Sequence, residues 1–224
     1  MNTRSLSLNV SPEIGAVTAE YFVPQQARAI LTLAHGAGAG MQHSFMVELA
    51  TALAGAGIAT LRFNFPFTEN KKGRPDQPRV AHATVAVAID HAHASYPELP
   101  LYAAGKSFGG RMTSQYLAAH PRADVKGIVF YGFPLHPPGK PGIERAEHLR
   151  GITVPMLFLQ GTRDELATWD LVYSVASSLR KTRLVKIEGA DHGFKAGKKD
   201  VISILVNATV DWLPMAIAEE KRAR

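Results

Sequence analysis

The chain has 224 residues, of which 46% are hydrophobic, and a formal net charge of +6 at pH 7. This length and apolar content predict a single compact enzyme domain over residues 1–224. There is no cysteine, which excludes disulfides and thiolate metal sites. Because no signal-peptide core and no apolar stretch of membrane-spanning length is found, we expect a cytoplasmic protein without membrane association.

Strands and helices alternate along the chain, after two early strands near residues 5–10 and 16–23 that are expected to form an antiparallel edge. The later elements are predicted as strand 29–33, helix 44–54, strand 58–63, helix 80–95, strand 100–104, a helix to residue 119, strands 127–131 and 155–160, helix 168–179, strand 184–187 and a helix from about residue 200. Pro214 should end or kink this last helix. The alternation predicts an α/β fold, a three-layer α/β/α sandwich with a mostly parallel sheet of about eight strands.

The segment from Gly105 to Gly109 has the pattern G-x-S-x-G and lies where strand 100–104 would pass into a helix. This pattern is typical of a nucleophile elbow, a strained turn that lifts a serine hydroxyl above the edge of the sheet. It predicts that Ser107 is a catalytic nucleophile. The alternative is that Ser107 only caps the helix, a position that serine favours.

A serine nucleophile needs a base to accept its proton and a carboxylate to orient that base. His192 follows strand 184–187 in a glycine-containing loop, and Asp164 follows strand 155–160, so they are predicted as base and acid. Glu165 is a competing acid, and Asp164 has the alternative of an ordinary turn residue. Asp191, next to the base, is interpreted as a residue that orders the loop.

The loop from His35 to Gly40 follows strand 29–33 and has small residues that leave backbone N–H groups free. Hydrolysis through a tetrahedral intermediate needs two such donors for the oxyanion, which we assign to the N–H groups of Ala37 and Phe108. His35 is expected to hold this loop through a backbone hydrogen bond. The glycines do not match the G-x-G-x-x-G dinucleotide pattern, and no acidic residue follows the next strand, so no NAD and no other cofactor is expected.

The remaining candidates are histidines and apolar residues. His82, His91 and His93 do not share one face of their predicted helix, so no metal site is expected there. An acyl pocket is predicted from apolar residues near the motifs, with core packing as the alternative. These residues are Met41, Phe45, Phe65, Phe67, Phe133 and Leu135.

Five segments carry a resemblance to a known family: residues 35–40, 61–67, 105–110, 161–164 and 190–194. Together they resemble the α/β-hydrolase superfamily, whose triads run in the order Ser, Asp, His. More narrowly, the chain is similar to the small dienelactone-hydrolase-like branch and to the predicted hydrolases grouped with the testis-expressed hydrolase-like proteins. Ser107 stands where dienelactone hydrolases carry cysteine. The resemblance implies that the short proline-rich loop 132–142 and a turn at 143–149 replace a large lid domain, which leaves an open site.

These observations lead us to expect a serine hydrolase of the carboxylesterase type that cleaves small carboxylic esters or thioesters through an acyl-enzyme. A peptidase or acyltransferase of the same fold is one alternative. A non-catalytic interaction module is another, because fold does not determine function and a pI near 9.6 would suit an acidic partner.

Basic residues cluster in the loops that follow predicted strands. We name as the basic rim Lys71, Lys72, Arg74, Lys140, Lys195, Lys198 and Lys199. Because ligands bind at the carboxyl ends of parallel strands, the basic rim is expected to attract an anionic ester substrate. The alternative is a merely solvated surface; no nucleic-acid partner is expected.

Overall fold

The computed structural model describes residues 2–222, with side chains up to residue 216. The strands are β1 Asn2–Ser11, β2 Gly15–Val23, β3 Ala29–Ala34, β4 Ile58–Phe63, β5 Leu101–Lys106, β6 Val125–Tyr131, β7 Met156–Gly161 and β8 Thr182–Ile187. The α-helices are α1 Ser44–Gly55, α2 Pro66–Glu69, α3 Pro78–Ser95, α4 Phe108–Ala119, α5 Trp169–Ser178 and α6 Val201–Arg222, and a 3-10 helix spans Glu144–Gly151.

Within these residues, one eight-stranded sheet has the order β1-β2-β4-β3-β5-β6-β7-β8. The β1–β2 hairpin is antiparallel and joins β4 in antiparallel fashion, whereas β4, β3, β5, β6, β7 and β8 run parallel. The carboxyl ends of β3, β5, β6, β7 and β8 therefore meet at one edge, where ligand sites of parallel sheets form.

Helices cover both faces of the sheet because successive strand residues point to opposite sides. Ile30 and Ala103 face the layer that contains α3, α4 and α5. Leu31 and Tyr102 face the layer of α1 and α6. The predicted three-layer α/β/α sandwich with an eight-stranded, mostly parallel sheet is thus confirmed.

Most predicted elements lie within a few residues of the observed ones, and the 3-10 helix occupies the predicted turn. Of the two outcomes predicted at Pro214, the end of the last helix is wrong, because α6 continues through it to Arg222. A kink at Pro214 stays a prediction. Leu213 and Ala216 are buried against the core, and Tyr102 donates a hydrogen bond from its hydroxyl to the Leu213 carbonyl at 2.6 Å. This tertiary packing offsets the backbone hydrogen bond that proline cannot make.

Across the described part of the chain, none of the helices combines the length and the apolar character that crossing a membrane would require.

Candidate active site

Ser107 lies in the tight turn between β5 and α4, with φ 51° and ψ −117°. A positive φ in a residue other than glycine is strained and requires support from its surroundings. The flanking glycines allow α4 to approach the sheet: a Cβ at Gly105 would lie 2.3 Å from the Gly110 nitrogen, and one at Gly109 would lie 2.5 Å from the Ala34 oxygen. The pattern of small residues is therefore required by backbone contact, as the elbow interpretation predicts.

The hydroxyl of Ser107 lies 2.8 Å from Nε2 of His192. Ser107 occupies the N-cap position of α4, yet its side chain makes no capping hydrogen bond. The simple helix-cap interpretation therefore does not account for the side chain, whose partner in this structure is an imidazole on another loop.

Asp164 stands on the other side of the imidazole, with Oδ2 at 2.8 Å from Nδ1 of His192. Its side chain is 1% exposed, compared with 22% for His192. The Leu166 N–H donates to Oδ1 at 2.8 Å. Glu165, the competing acid, is exposed, so the structure joins Asp164 and not its neighbour to His192.

Gln160, the residue that sequence reasoning missed, orients this carboxylate. Its Nε2 donates to Oδ2 of Asp164 at 2.6 Å, while its Oε1 accepts the Phe133 N–H at 2.9 Å. Gln160 is fully buried near the end of β7. The sequence does contain a feature that could have indicated this role: Gln160 is a polar residue near the end of an otherwise apolar strand. Buried polar groups need hydrogen-bond partners.

The loops that carry Asp164 and His192 are tied together by their backbones. The Arg163 N–H donates to the Ala190 carbonyl at 2.9 Å, and a Cβ at Gly161 would lie 2.3 Å from that same oxygen. Within the His192 loop, the Lys195 N–H donates a hydrogen bond to Oδ1 of Asp191 at 2.8 Å. This contact fits the interpretation of Asp191 as a residue that orders the loop. These contacts set the orientation of the imidazole independently of any ligand.

The oxyanion loop passes close to the nucleophile: a Cβ at Gly36 would lie 3.6 Å from Cβ of Ser107. His35 is completely buried beneath it. Its Nε2 accepts the Phe65 N–H at 3.0 Å, so its Nδ1 carries the proton and donates to the Gly36 carbonyl at 2.8 Å. Phe108 is the first residue of α4, and the first N–H groups of a helix have no partner within it.

A cavity of about 330 Å³ opens beside Ser107. Of the residues predicted for substrate or oxyanion binding, Ala37 and Phe45 line it. Leu166, Met46 and Lys106 also contribute to its wall, and none of these three was predicted. The cavity is thus bounded by the oxyanion loop, the first turn of α1, and the loops carrying Asp164 and His192.

The prediction that Met41, Phe65, Phe133 and Leu135 line this cavity is wrong, because none of the four is among its lining residues. All four side chains pack in the interior. The ring of Phe65 packs edge-on against Phe108 with centroids 5.3 Å apart. Phe67, the sixth apolar candidate, also packs on Phe108, at 5.8 Å. Phe65 and Phe67 therefore do lie close to the active-site motifs, as predicted, but they pack on the interior side of the residue that follows Ser107 and do not face the cavity.

Two of the three candidate histidines of α3 have protein partners, and the third, His93, is exposed. His91 Nδ1 lies 2.8 Å from the hydroxyl of Tyr21 on β2, and His82 Nε2 lies 3.4 Å from Oε1 of Gln115 on α4. Burial lowers the pKa of these two imidazoles, which fits neutral side chains packed against neighbouring elements.

We expect the fold to lose stability in mild acid because of His35. Burial lowers the pKa of His35 from 6.5 to about 4, so between these values the unfolded chain binds a proton that the folded protein does not. The free energy of unfolding should therefore fall by up to about 3 kcal/mol as the pH decreases through this range. Urea titrations at several pH values measure this effect. The variant H35Q should show a weaker dependence, and an equally steep one would contradict the assignment.

The family comparison agrees with the fold. The family model described as "Alpha/beta hydrolase domain" matches residues 27–209, and the chain belongs to this family. Two proteins from Mycobacterium tuberculosis strains CDC 1551 and H37Rv, each named "Putative phosphoribosyl transferase", are 26% identical over 197 residues. The match covers 85% of this chain but only 42% of each relative, so the chain spans less than half of their length.

Solved structures share the fold over nearly the whole chain. A serine hydrolase without lid from Xanthomonas campestris has a TM-score of 0.74 at 22% identity, with 96% of both chains covered. Dienelactone hydrolase from Anabaena variabilis has a TM-score of 0.76 at 19% identity, covering 96% of this chain and 97% of that one. Est1E from Butyrivibrio proteoclasticus has a TM-score of 0.72 at 16% identity, covering 96% and 99%.

Proposed function

We propose that this chain is a serine hydrolase that cleaves small carboxylic esters or thioesters through an acyl-enzyme. The observation that carries the proposal is the continuous hydrogen-bonded series from Ser107 to His192 to Asp164, with both distances 2.8 Å, at the wall of a cavity. Nucleophile, base and orienting acid in hydrogen-bond contact are the arrangement that serine acyl transfer requires. The serine hydrolase among the structural neighbours supports the same chemistry.

In the proposed mechanism, Oγ of Ser107 attacks the carbonyl carbon while Nε2 of His192 accepts the hydroxyl proton. Asp164 accepts the hydrogen bond from Nδ1–H and stabilises the imidazolium that forms. The N–H groups of Ala37 and Phe108 hold the oxyanion. His192 then protonates the leaving group, and a water molecule deprotonated by the same imidazole releases the acid and regenerates Ser107.

The size of the cavity supports a small acyl group. A volume of about 330 Å³ is at the lower end of the range of small-molecule sites. Phe45, Met46 and Leu166 supply an apolar wall. We therefore propose short-chain or compact aromatic acyl groups over long fatty-acyl chains.

A screen with p-nitrophenyl esters of increasing acyl length, together with labelling by a fluorophosphonate probe, tests the proposed function. The expected result is covalent labelling of Ser107 and the highest kcat/KM for short acyl groups. Folded protein that neither hydrolyses any ester nor reacts with the probe would contradict the proposal and would favour a non-catalytic interaction module.

We further propose that the ester is anionic and that the basic rim attracts it. The rim residues follow the carboxyl ends of β4, β6 and β8, on the edge of the sheet that holds Ser107. Lys71, Lys140 and Lys198 are exposed, and exposed charges steer ligands in a salt-dependent way. The kcat/KM for a carboxylate-bearing ester should therefore fall severalfold with added salt, while that for a neutral ester of similar size barely changes.

A control for this prediction is the same Lys-to-Glu substitution at the carboxyl end and at the amino end of β8. K198E should lower kcat/KM for the anionic ester at low salt, whereas K181E, just before the amino end of β8, should have a smaller effect. Parallel salt responses for the two esters would identify the basic rim as a solvated surface only.

A further inference from the structure

Lys106, the residue directly before Ser107, reaches from the end of β5 into the active-site cavity. Its Nζ donates a hydrogen bond to the backbone carbonyl of His192 at 2.7 Å. Ser107 and His192 are 85 residues apart in sequence and lie on different elements. One side chain therefore links the turn that carries the nucleophile to the loop that carries the base.

The surroundings of this ammonium group are unusual for a lysine. Nζ lies 5.3 Å from the ring centroid of Phe194 and 6.0 Å from that of Phe45, and these two rings stack on each other at 5.6 Å. The ammonium group also lies close to the backbone at Gly132, since a Cβ added to that glycine would be 3.2 Å from Nζ. Aromatic faces attract a cation, but a lysine enclosed in this way has lost much of its hydration.

Burial lowers the pKa of Lys106 to about 8, against the attraction of the Asp164 and Asp191 carboxylates. The group is therefore still mostly protonated at neutral pH, although its environment opposes the charge. A charge retained under such a penalty in a reactive cavity is characteristic of functional groups. The hydrogen bond to the His192 carbonyl indicates that Lys106 acts on the loop that carries His192.

We propose that Lys106 is a positioning residue that fixes the His192 loop against the elbow, so that Nε2 of His192 stays within reach of the Ser107 hydroxyl. This inference rests on the proposed function of the site. The hydrogen bond limits the movement of His192 relative to Oγ, and small displacements of a catalytic group have large effects on rate.

The variant K106M tests this proposal because methionine preserves length and apolar packing but removes the donor and the charge. We expect kcat to fall about tenfold or more with a smaller change in KM. The ring resonances of His192, measured by NMR in the unliganded protein, should shift and broaden, because the Lys106 donor no longer holds the loop. K106R, which restores a cation and its donors between the aromatic rings, should recover most of the original resonances and of kcat.

Lys126 offers a matched control, since its Nζ also donates to a backbone carbonyl, that of Ala123 at 2.8 Å, but at the amino end of β6. K126M should leave kcat and the NMR resonances of His192 unchanged. A merely structural role for Lys106 predicts a lower melting temperature for K106M. We expect the melting temperature to be maintained or raised, because a partly desolvated charge is removed.

The NMR measurement needs no substrate, so it separates this inference from the proposed hydrolase activity. Absence of ester hydrolysis and probe labelling in the parent protein would refute the activity alone. The Lys106 proposal is overturned if K106M leaves the NMR resonances of His192 unchanged, or if K106M and K126M change them equally. It is also overturned if the active parent and K106M have the same kcat.

Discussion

The substitution S107A is expected to lower kcat for a p-nitrophenyl ester by a factor of about 10⁵ to 10⁶, because no other group supplies the attacking oxygen. The residual rate would come from the oxyanion donors and substrate binding alone. Labelling by a fluorophosphonate probe should be lost completely. Hydrolysis rates at saturating substrate, measured for the parent and variant proteins, give the loss directly.

The fold of S107A should be retained, because the substitution removes one partly exposed hydroxyl and no packing. We expect the free energy of unfolding to change by less than about 1 kcal/mol. S178A, which removes a hydroxyl at the exposed end of α5, is a matched control that should keep full activity. Equal rates for S107A and the parent protein would refute the assignment of the nucleophile.

The second large effect is expected from G105A. The added Cβ would lie 2.3 Å from the Gly110 nitrogen and 2.5 Å from the Gly109 carbonyl carbon. These neighbours are backbone atoms of α4. The steric clash can therefore be relieved only if the N-terminus of α4 moves together with Ser107. We expect a loss of about 3 kcal/mol or more in the free energy of unfolding, and loss of activity.

G55A provides the control for this substitution, because a Cβ at Gly55, the last residue of α1, meets no atom within 4 Å. Alanine is the better helix former, so G55A should keep or slightly raise stability. Urea unfolding of the three proteins measures the difference. The elbow interpretation of the glycines would be contradicted if G105A were as stable as G55A.

Strands and helices could be predicted from local pattern because apolar runs and helical spacing depend on neighbours in sequence. The same holds for Ser107, Asp164 and His192, since each follows a predicted strand, and the carboxyl ends of parallel strands meet at one edge. Whether the last helix ends at Pro214 or continues through it could not be decided from the sequence, because this depends on contacts between α6 and the distant β5.

The lining of the cavity was decided by tertiary packing. Phe45 and Phe65 both lie near predicted motifs, yet Phe45 lines the cavity and Phe65 lies behind the oxyanion loop against Phe108. The direction of a loop or helix side chain depends on which surfaces it packs against, which local spacing does not contain.

The sequence by itself determined the class of fold, the sharp glycine turn and the order of the three candidate catalytic side chains, because backbone geometry and strand succession leave local signatures. Only the tertiary structure decided that Gln160 holds Asp164 and that Lys106 reaches the His192 carbonyl. Gln160 is only four residues from Asp164, but its orientation also depends on the Phe133 N–H from the loop after β6, and the partner of Lys106 lies 86 residues away. Polar groups with little exposure must be satisfied on folding, but which partner satisfies them is fixed only when the loops meet.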